Sequence, residues 1–480
     1  SAALSAAIAR WFGHTPEVAV RLRQFIHGGD GPLTREQVSL FLDVSGQFDE
    51  WLPKLARPLR TLERLARFGE SYGARRQFFQ ALVGNAGLLR ALALLFDRST
   101  AIFELLCAHP GIMEELLYAA PRRHKSASEM AKEIARLARE REEFPRRLWL
   151  YVKAEQVRAA MAQLLFDLGG EEIEERLTEL ADAVLAATLR LADPEGRLAV
   201  IALGKYGGGE LSIGSDLDLI GLAPGDDLAR DQERIAAWRK WLGHEDPLGR
   251  AFELDLRLRP YGNDGPPATT LAALRAYHEP GGGAQMWERQ LLTRARLAAG
   301  SPTLAAKFFA WRDELIYSRA ASPAARAEIR HMRDRIEKEK SREAGNERAF
   351  KSGRGGLVDV EFAAQWLQLT HGFNSPAMRA TSTRGVLRAA PTVGCLDAGD
   401  AGTLLEHYEV LRSVELALRR DSGTGVAVLP EEAAAMRALA VWVGRADGPA
   451  LLAELRDRRA EVRAIFNKII PPEKPAKPAS

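Results

Sequence analysis

Cysteine is nearly absent: the 480 residues hold two, Cys107 and Cys395. Two thiols far apart build neither a disulfide framework nor a zinc cluster, and they read as free thiols of a reducing cytoplasm. Apolar runs of the ~20 residues that a membrane-spanning helix needs are missing. The N-terminus has neither the basic start nor the apolar core of a secretory signal. Neither sign of charge dominates. Lys and Arg number 67 against 64 Asp and Glu, a net charge of +3, which argues against a dedicated nucleic-acid binder with its clear basic excess. No internal repeat stands out. A hydrophobic fraction of 46% over this length is ample for two or three domains.

Helical periodicity fills the first part of the chain. Ile173, Leu177, Leu180, Val184 and Leu191 recur at steps of three, four and seven, one face of an amphipathic helix. Similar patterns run over Leu55 to Phe68, Arg75 to Phe96 and Trp149 to Leu168. Asp193-Pro194-Glu195-Gly196 is a turn that admits the first strand. Strand content is concentrated between Leu198 and Leu258. Helical periodicity resumes by Leu271 and dominates thereafter. The Pro/Lys/Ala tail is expected to be disordered. The reading is α+β, predominantly α: a helical N-terminal region (1–192), a core with a small mixed sheet (193–300), a C-terminal helical bundle (301–470) and a tail (471–480).

The chemistry is concentrated in Gly204-Lys205-Tyr206-Gly207-Gly208-Gly209-Glu210 and the Gly214-Ser215-Asp216-Leu217-Asp218 that follows. Glycines let a backbone approach phosphates closely. Asp216 and Asp218, two apart on a strand, point to one face and there share a hard divalent cation. Phe252 to Arg259 alternates strictly, with Glu253, Asp255, Arg257 and Arg259 on the polar face. Paired beside Asp216/Asp218, that strand supplies Asp255 as a third carboxylate, enough for two metal ions. Arg257 and Arg259 either neutralise phosphate charge or only offset neighbouring acids, the second reading being favoured for Arg259. Lys205 meets phosphates as a point charge or is a surface lysine. Ser215 positions phosphate or bonds within its turn.

These residues resemble the glutamine synthetase adenylyltransferases, bifunctional members of the DNA polymerase β-type nucleotidyltransferase superfamily. The family pattern runs Gly-Lys-Leu-Gly-Gly-x-Glu-Leu, then Ser-Asp-(Leu/Ile)-Asp-Leu, then Asp-(Leu/Met)-Arg-Leu-Arg-Pro-x-Gly. Further matches are Cys107-Ala108-His109-Pro110 with Glu114-Glu115-Leu116-Leu117, Trp287-Glu288-Arg289 with Arg294-Ala295-Arg296, and Lys351 to Phe362. They cover most of residues 60 to 370. Family enzymes usually carry two nucleotidyltransferase units, one attaching AMP and one removing it by phosphorolysis; one unit is found here. Gly214 to Asp218 and Leu357 to Phe362 look like the attaching half, Gly353 to Gly356 like the removing half.

The resemblance implies Mg²⁺-dependent transfer of AMP from ATP to a tyrosine of glutamine synthetase, with the reverse reaction as alternative. A regulatory module that binds nucleotide or synthetase without reacting is a second alternative, opposed by the intact carboxylate set. An RNA nucleotidyltransferase is disfavoured by the charge balance. Asp216, Asp218 and Asp255 are the expected catalytic and metal-holding residues. Gly204, Lys205, Gly207, Gly208, Ser215 and Arg257 are the expected nucleotide contacts. By family analogy, glutamine and the PII signal protein are possible effectors. At Lys351, Arg354 and Gly355 an anion site at a helix start competes with a loop whose glycines serve close packing. Trp287 and Glu288 are expected to pack and hydrogen-bond beneath the site, His109 and His371 to be structural, and Arg333 to Arg342 to be a solvated helix face.

Overall fold

The computed structural model describes residues 54–72, 86–113, 123–340 and 345–472, with the isolated positions Arg35, Ser39, Phe78 and Leu82. The readings on residues 1–50, on most of 75–85, on Glu114 to Leu117 and on the end of the tail lie outside these.

Local sequence sets the first helices. α1 (Pro58–Ser71) opens on a proline, whose missing N–H is spare in a first turn, and buries Leu62, Leu65 and Phe68. α2 (Ala86–Arg98) is divided from α3 (Thr100–Ala108) by Ser99, whose Oγ accepts from the Ile102 amide at 3.0 Å. α4 (Ala127–Leu137) starts with a reciprocal capping box between Ser126 and Glu129. The long α5 (Phe144–Phe166) and α6 (Gly170–Ala192) follow. Ile173, Leu177, Leu180 and Val184 are buried along α6 as their spacing requires, but Leu191, in its last turn, is exposed.

The turn at Asp193 forms as expected, the Asp193 carboxylate accepting from the Leu198 amide at 2.7 Å. β1 (Ala199–Ala202) leads into α7 (Gly204–Gly207), a single helical turn, and then β2 (Asp216–Ala223). α8 (Leu228–Trp241), β3 (Glu253–Asp255), β4 (Ala268–Thr270), α9 (Leu271–His278), α10 (Met286–Leu291) and β5 (Arg296–Gly300) complete the core. β1 is antiparallel to both β2 and β5, whereas β3 and β4 both run parallel to β2, β3 along its start and β4 along its end.

Both faces of the central strands are covered, which is why they read as continuous apolar runs. Val200, Ala202, Leu217 and Leu219 enter one core with Val184 of α6 and Ile235 and Trp238 of α8. Ala199, Ile201, Ile220 and Leu222 enter another, against Phe308 and Trp311 of α11 (Pro302–Tyr317), Ile329 of α12 (Pro323–Lys340) and Trp366 of α13 (Leu357–His371). α14 (Thr383–Val393), α15 (Ala398–Ser422), α16 (Ala433–Trp442) and α17 (Gly448–Ile469) form the C-terminal bundle around a further core. The fold is predominantly α with a small mixed sheet, as expected.

Four expectations are corrected. The sheet continues past Leu258 into β4 and β5, segments too short and, in β5, too rich in alanine to carry much strand signal. The alternating stretch 252–258 is a strand only over Glu253–Asp255. Beyond it the chain turns around Arg259, a buried side chain that donates to the carbonyls of Leu256 and Gly265 instead of offsetting an acid. Finally, Arg333 does not belong to a solvated face. It is fully buried on Asp359 and the Gly353 carbonyl. Among the described residues no helix is long and apolar enough to cross a membrane, and both cysteines are free.

Candidate active site

β2 and β3 are in register, Asp216 beside Glu253 and Asp218 beside Asp255. Neighbouring residues of adjacent strands point to one face, so all four carboxylates share it. Glu253 is an acid to which the sequence reading gave no role; it is exposed and lies 3.5 Å from Arg250. Asp216 is exposed, whereas Asp218 lies deeper. Burial first, then the charges of Asp255 and Asp216, push the Asp218 carboxyl up to about 7. Arg257 acts in the opposite direction on Asp255: its Nε lies 3.0 and 2.9 Å from the two carboxylate oxygens and holds that group below the usual range.

The face is short of positive charge at Asp218, and its donors are all oxygen. That combination suits a hard divalent cation. Arg257 is the cation that Asp255 holds in this structure. Among the described residues no three Asp, Glu, His or Cys groups converge closely enough to ligate one ion. For Asp255 to join Asp216 and Asp218 around an ion, its carboxylate would have to release Arg257.

The glycine turn lies directly on this face. Gly204 has φ +56°, and a Cβ there would be 2.0 Å from Oδ2 of Asp218, so only glycine fits. Gly207 is pressed against Arg294, its missing Cβ 2.2 Å from that residue's carbonyl oxygen. The amides of Gly207 and Gly208 donate within α7, to Leu203 and Gly204, at 2.6 and 3.1 Å. Both glycines are thus closely packed within the turn. Ser215 accepts from the Ser212 amide at 3.1 Å, the bond within the turn.

Lys205 is no surface lysine. Its Nζ is 2.6 Å from Oε2 of Glu415 on α15, while Lys351 reaches Oε1 of the same carboxylate at 3.2 Å. Burial and the Arg412 charge lower the Lys205 ammonium to about 8 despite Glu415. Lys351 also acts on Asp218, which it pulls downward against the stronger effects of burial and neighbouring acids. The two lysines, 146 positions apart by their numbering, are therefore joined at the site.

α15 fastens the whole turn. Arg412 donates to the Glu210 carbonyl at 2.9 Å and Arg419 to the Gly214 carbonyl at 3.0 Å. The Glu210 side chain, fully buried, meets Arg294 Nη1 and the Thr383 amide at 2.8 Å each. Burial alone would raise its carboxyl, but Arg294 and Arg412 overcome this and hold it at about 2. Arg412, Glu415 and Arg419 repeat at the helical steps three and seven. In sequence such a stripe of charges looks like a solvated face, so these residues gave no signal.

The late glycine motif divides. Lys351 joins the site through Glu415. The Gly355 amide is already bound to Asp359 Oδ2 at 2.7 Å, and its missing Cβ would be 1.8 Å from the Arg459 carbonyl oxygen. Arg354 lines a separate cavity with Arg456, Arg459 and Arg463. Glu288 caps its own helix and accepts from Tyr277, and Trp287 bonds to Gln285. His109 packs on Trp149 and lies 3.3 Å from Asp246, a structural role.

Residues 89–310 match the family model described as Glutamate-ammonia ligase adenylyltransferase, and residues 325–470 match that described as GlnD PII-uridylyltransferase. The chain is 31% identical over 378 residues to the bifunctional glutamine synthetase adenylyltransferase/adenylyl-removing enzyme of Chromobacterium violaceum, across 75% of this chain and 42% of that protein. The enzyme of the same name from Streptomyces coelicolor is 31% identical over 445 residues, 87% of this chain and 43% of its own length. That of Burkholderia mallei is 36% identical over 306 residues, 58% and 32% respectively. The chain spans less than half the length of these relatives. With the glycine turn, the paired carboxylates and both matches in order, the chain belongs to the glutamate–ammonia ligase adenylyltransferase family.

Proposed function

We propose that this chain transfers AMP from ATP to a tyrosine hydroxyl of glutamine synthetase, in the cytoplasm, with Asp216, Asp218 and Asp255 holding Mg²⁺. The observation that carries the reading is the register of Asp218 beside Asp255 with Gly204 packed on the Asp218 carboxylate. Two Mg²⁺ ions, when bound, would orient the triphosphate and ease ionisation of the attacking hydroxyl. The hydroxyl oxygen forms a bond to the α-phosphorus, the bond from that phosphorus to the bridging oxygen breaks, and pyrophosphate leaves. Asp255 receives the tyrosine proton. Lys205, Lys351 and Arg257 offset triphosphate charge, Gly204, Gly207 and Gly208 shape the turn, and Ser215 fixes its far end. Catalysis is then mostly positioning and charge neutralisation.

The helical region 1–192 and the bundle 301–470 would flank the 193–300 core and grip the protein substrate. A C-terminal match to a model named for PII-uridylylation supports the PII signal protein as an effector, and glutamine is proposed beside it by family analogy alone. A second reading, phosphorolytic removal of AMP, has its own support: the relatives' names carry both activities, and the chain spans less than half of each relative.

The experiment mixes the chain with Mg²⁺, α-labelled ATP and glutamine synthetase and follows label on the synthetase. A parallel reaction holds adenylylated synthetase with phosphate. Label transfer supports attachment. ADP formation without transfer replaces it with removal, and silence in both reactions counts against both.

A further inference from the structure

One face of α17 turns a charged stripe to a cavity of about 690 Å³. Arg456, Arg459 and Arg463 follow one another at steps of three and four, and the small Ala460 and Ala464 line the cavity with them. Arg354, from the late glycine loop, lines the same cavity.

The arginines are held in place by the fold. Arg459 is buried and donates to the carbonyls of Arg354 at 3.1 Å and Glu347 at 2.8 Å. Arg463, 7% exposed, pairs with Asp359 at 3.1 Å and Glu337 at 3.0 Å, yet its buried Nε has no hydrogen-bond partner. An unmet buried N–H is costly, and this one belongs to a residue of the cavity wall. Four arginines and one acid, Glu347, line the space, while Asp334, Glu337 and Asp359 hold Arg463 and Asp457 holds Arg456 from beside it. Planar guanidinium forks match the oxygens of phosphate, and the volume is that of a small-molecule site. The cavity at Asp216, Asp255 and Arg257 shares no lining residue with this one.

We propose that the α17 cavity is a second anion site, which takes the phosphate group of a small metabolite, and that Arg354 serves there and not at the carboxylates. The inference stands independently of adenylyl transfer.

Inorganic phosphate and ADP are titrated calorimetrically, in separate arms, into the full chain in Mg²⁺-free buffer. The variants are the double substitution Arg354→Ala/Arg456→Ala, both at exposed residues, and Asp216→Asn. Unfolding midpoints without ligand check that each variant is folded. Saturable binding in either arm is expected, weakened about tenfold or more in the double variant and unchanged in Asp216→Asn. Absence of saturable binding in both arms, equal binding by the double variant, or a loss that follows Asp216→Asn instead would overturn the proposal.

Discussion

The Lys205 ammonium lies 2.6 Å from Oε2 of Glu415, a residue 210 positions further along the chain. One ion pair thus ties the glycine turn of the sheet domain to the middle of α15. Glu415 is wholly buried and also meets Lys351, Arg412 and Arg419. Its carboxyl is held well below the usual range because these cations outweigh the effect of burial.

Removing one partner from a buried charge cluster costs about 3–5 kcal/mol. Glu415→Gln is expected to lose stability of that order in denaturant unfolding. Because Lys205 and Lys351 lose their common anchor, the KM for ATP is expected to rise as well. Unchanged stability would show that the cluster contributes nothing.

Gly204→Ala tests the contact between turn and carboxylate. The added methyl would meet Asp218 at 2.0 Å, and the left-handed backbone at φ +56° costs an L-residue about 1–2 kcal/mol. Displacing the carboxylate by even an ångström is expected to lower kcat on the order of 10²-fold, with a smaller fractional loss of stability. Wild-type kcat in this variant would remove Gly204 from the site.

The Asp218 carboxyl, at about 7, gives a pH signature. A folded-state value above the unfolded one means that protonation stabilises the fold below about pH 4, a contribution lost as pH rises through 7. A divalent cation competes with that proton. Mg²⁺ is therefore expected to raise the unfolding midpoint more at pH 8 than at pH 6, with affinity about tenfold weaker at pH 6. Scanning calorimetry with and without Mg²⁺ checks this, and equal gains at both values would contradict it.

Much of this arrangement was legible in the sequence. The alternation at Glu253 to Asp255 and the spacing of Asp216 and Asp218 foretold one carboxylate face, because strand periodicity is local. β5 was missed because Arg296-Leu297-Ala298-Ala299-Gly300 pairs with β1 only through tertiary context. Arg412 and Glu415 were missed for a related reason, and Glu210 and Arg294, though within quoted motifs, were given no role. A buried ion cluster and a solvated charged face use the same residues, and only the packing of α15 on the turn distinguishes them. Arg333 illustrates the same point: within a run of charges nothing local marks the one member that faces Asp359.

The central claim is that the paired carboxylates carry the reaction. Its most direct test is label incorporation from α-labelled ATP into glutamine synthetase by the wild-type chain, Asp216→Asn and Asp218→Asn, with the folded state of each checked by its unfolding midpoint. The account predicts that each substitution nearly abolishes incorporation while the fold persists. Full incorporation by either variant would contradict it.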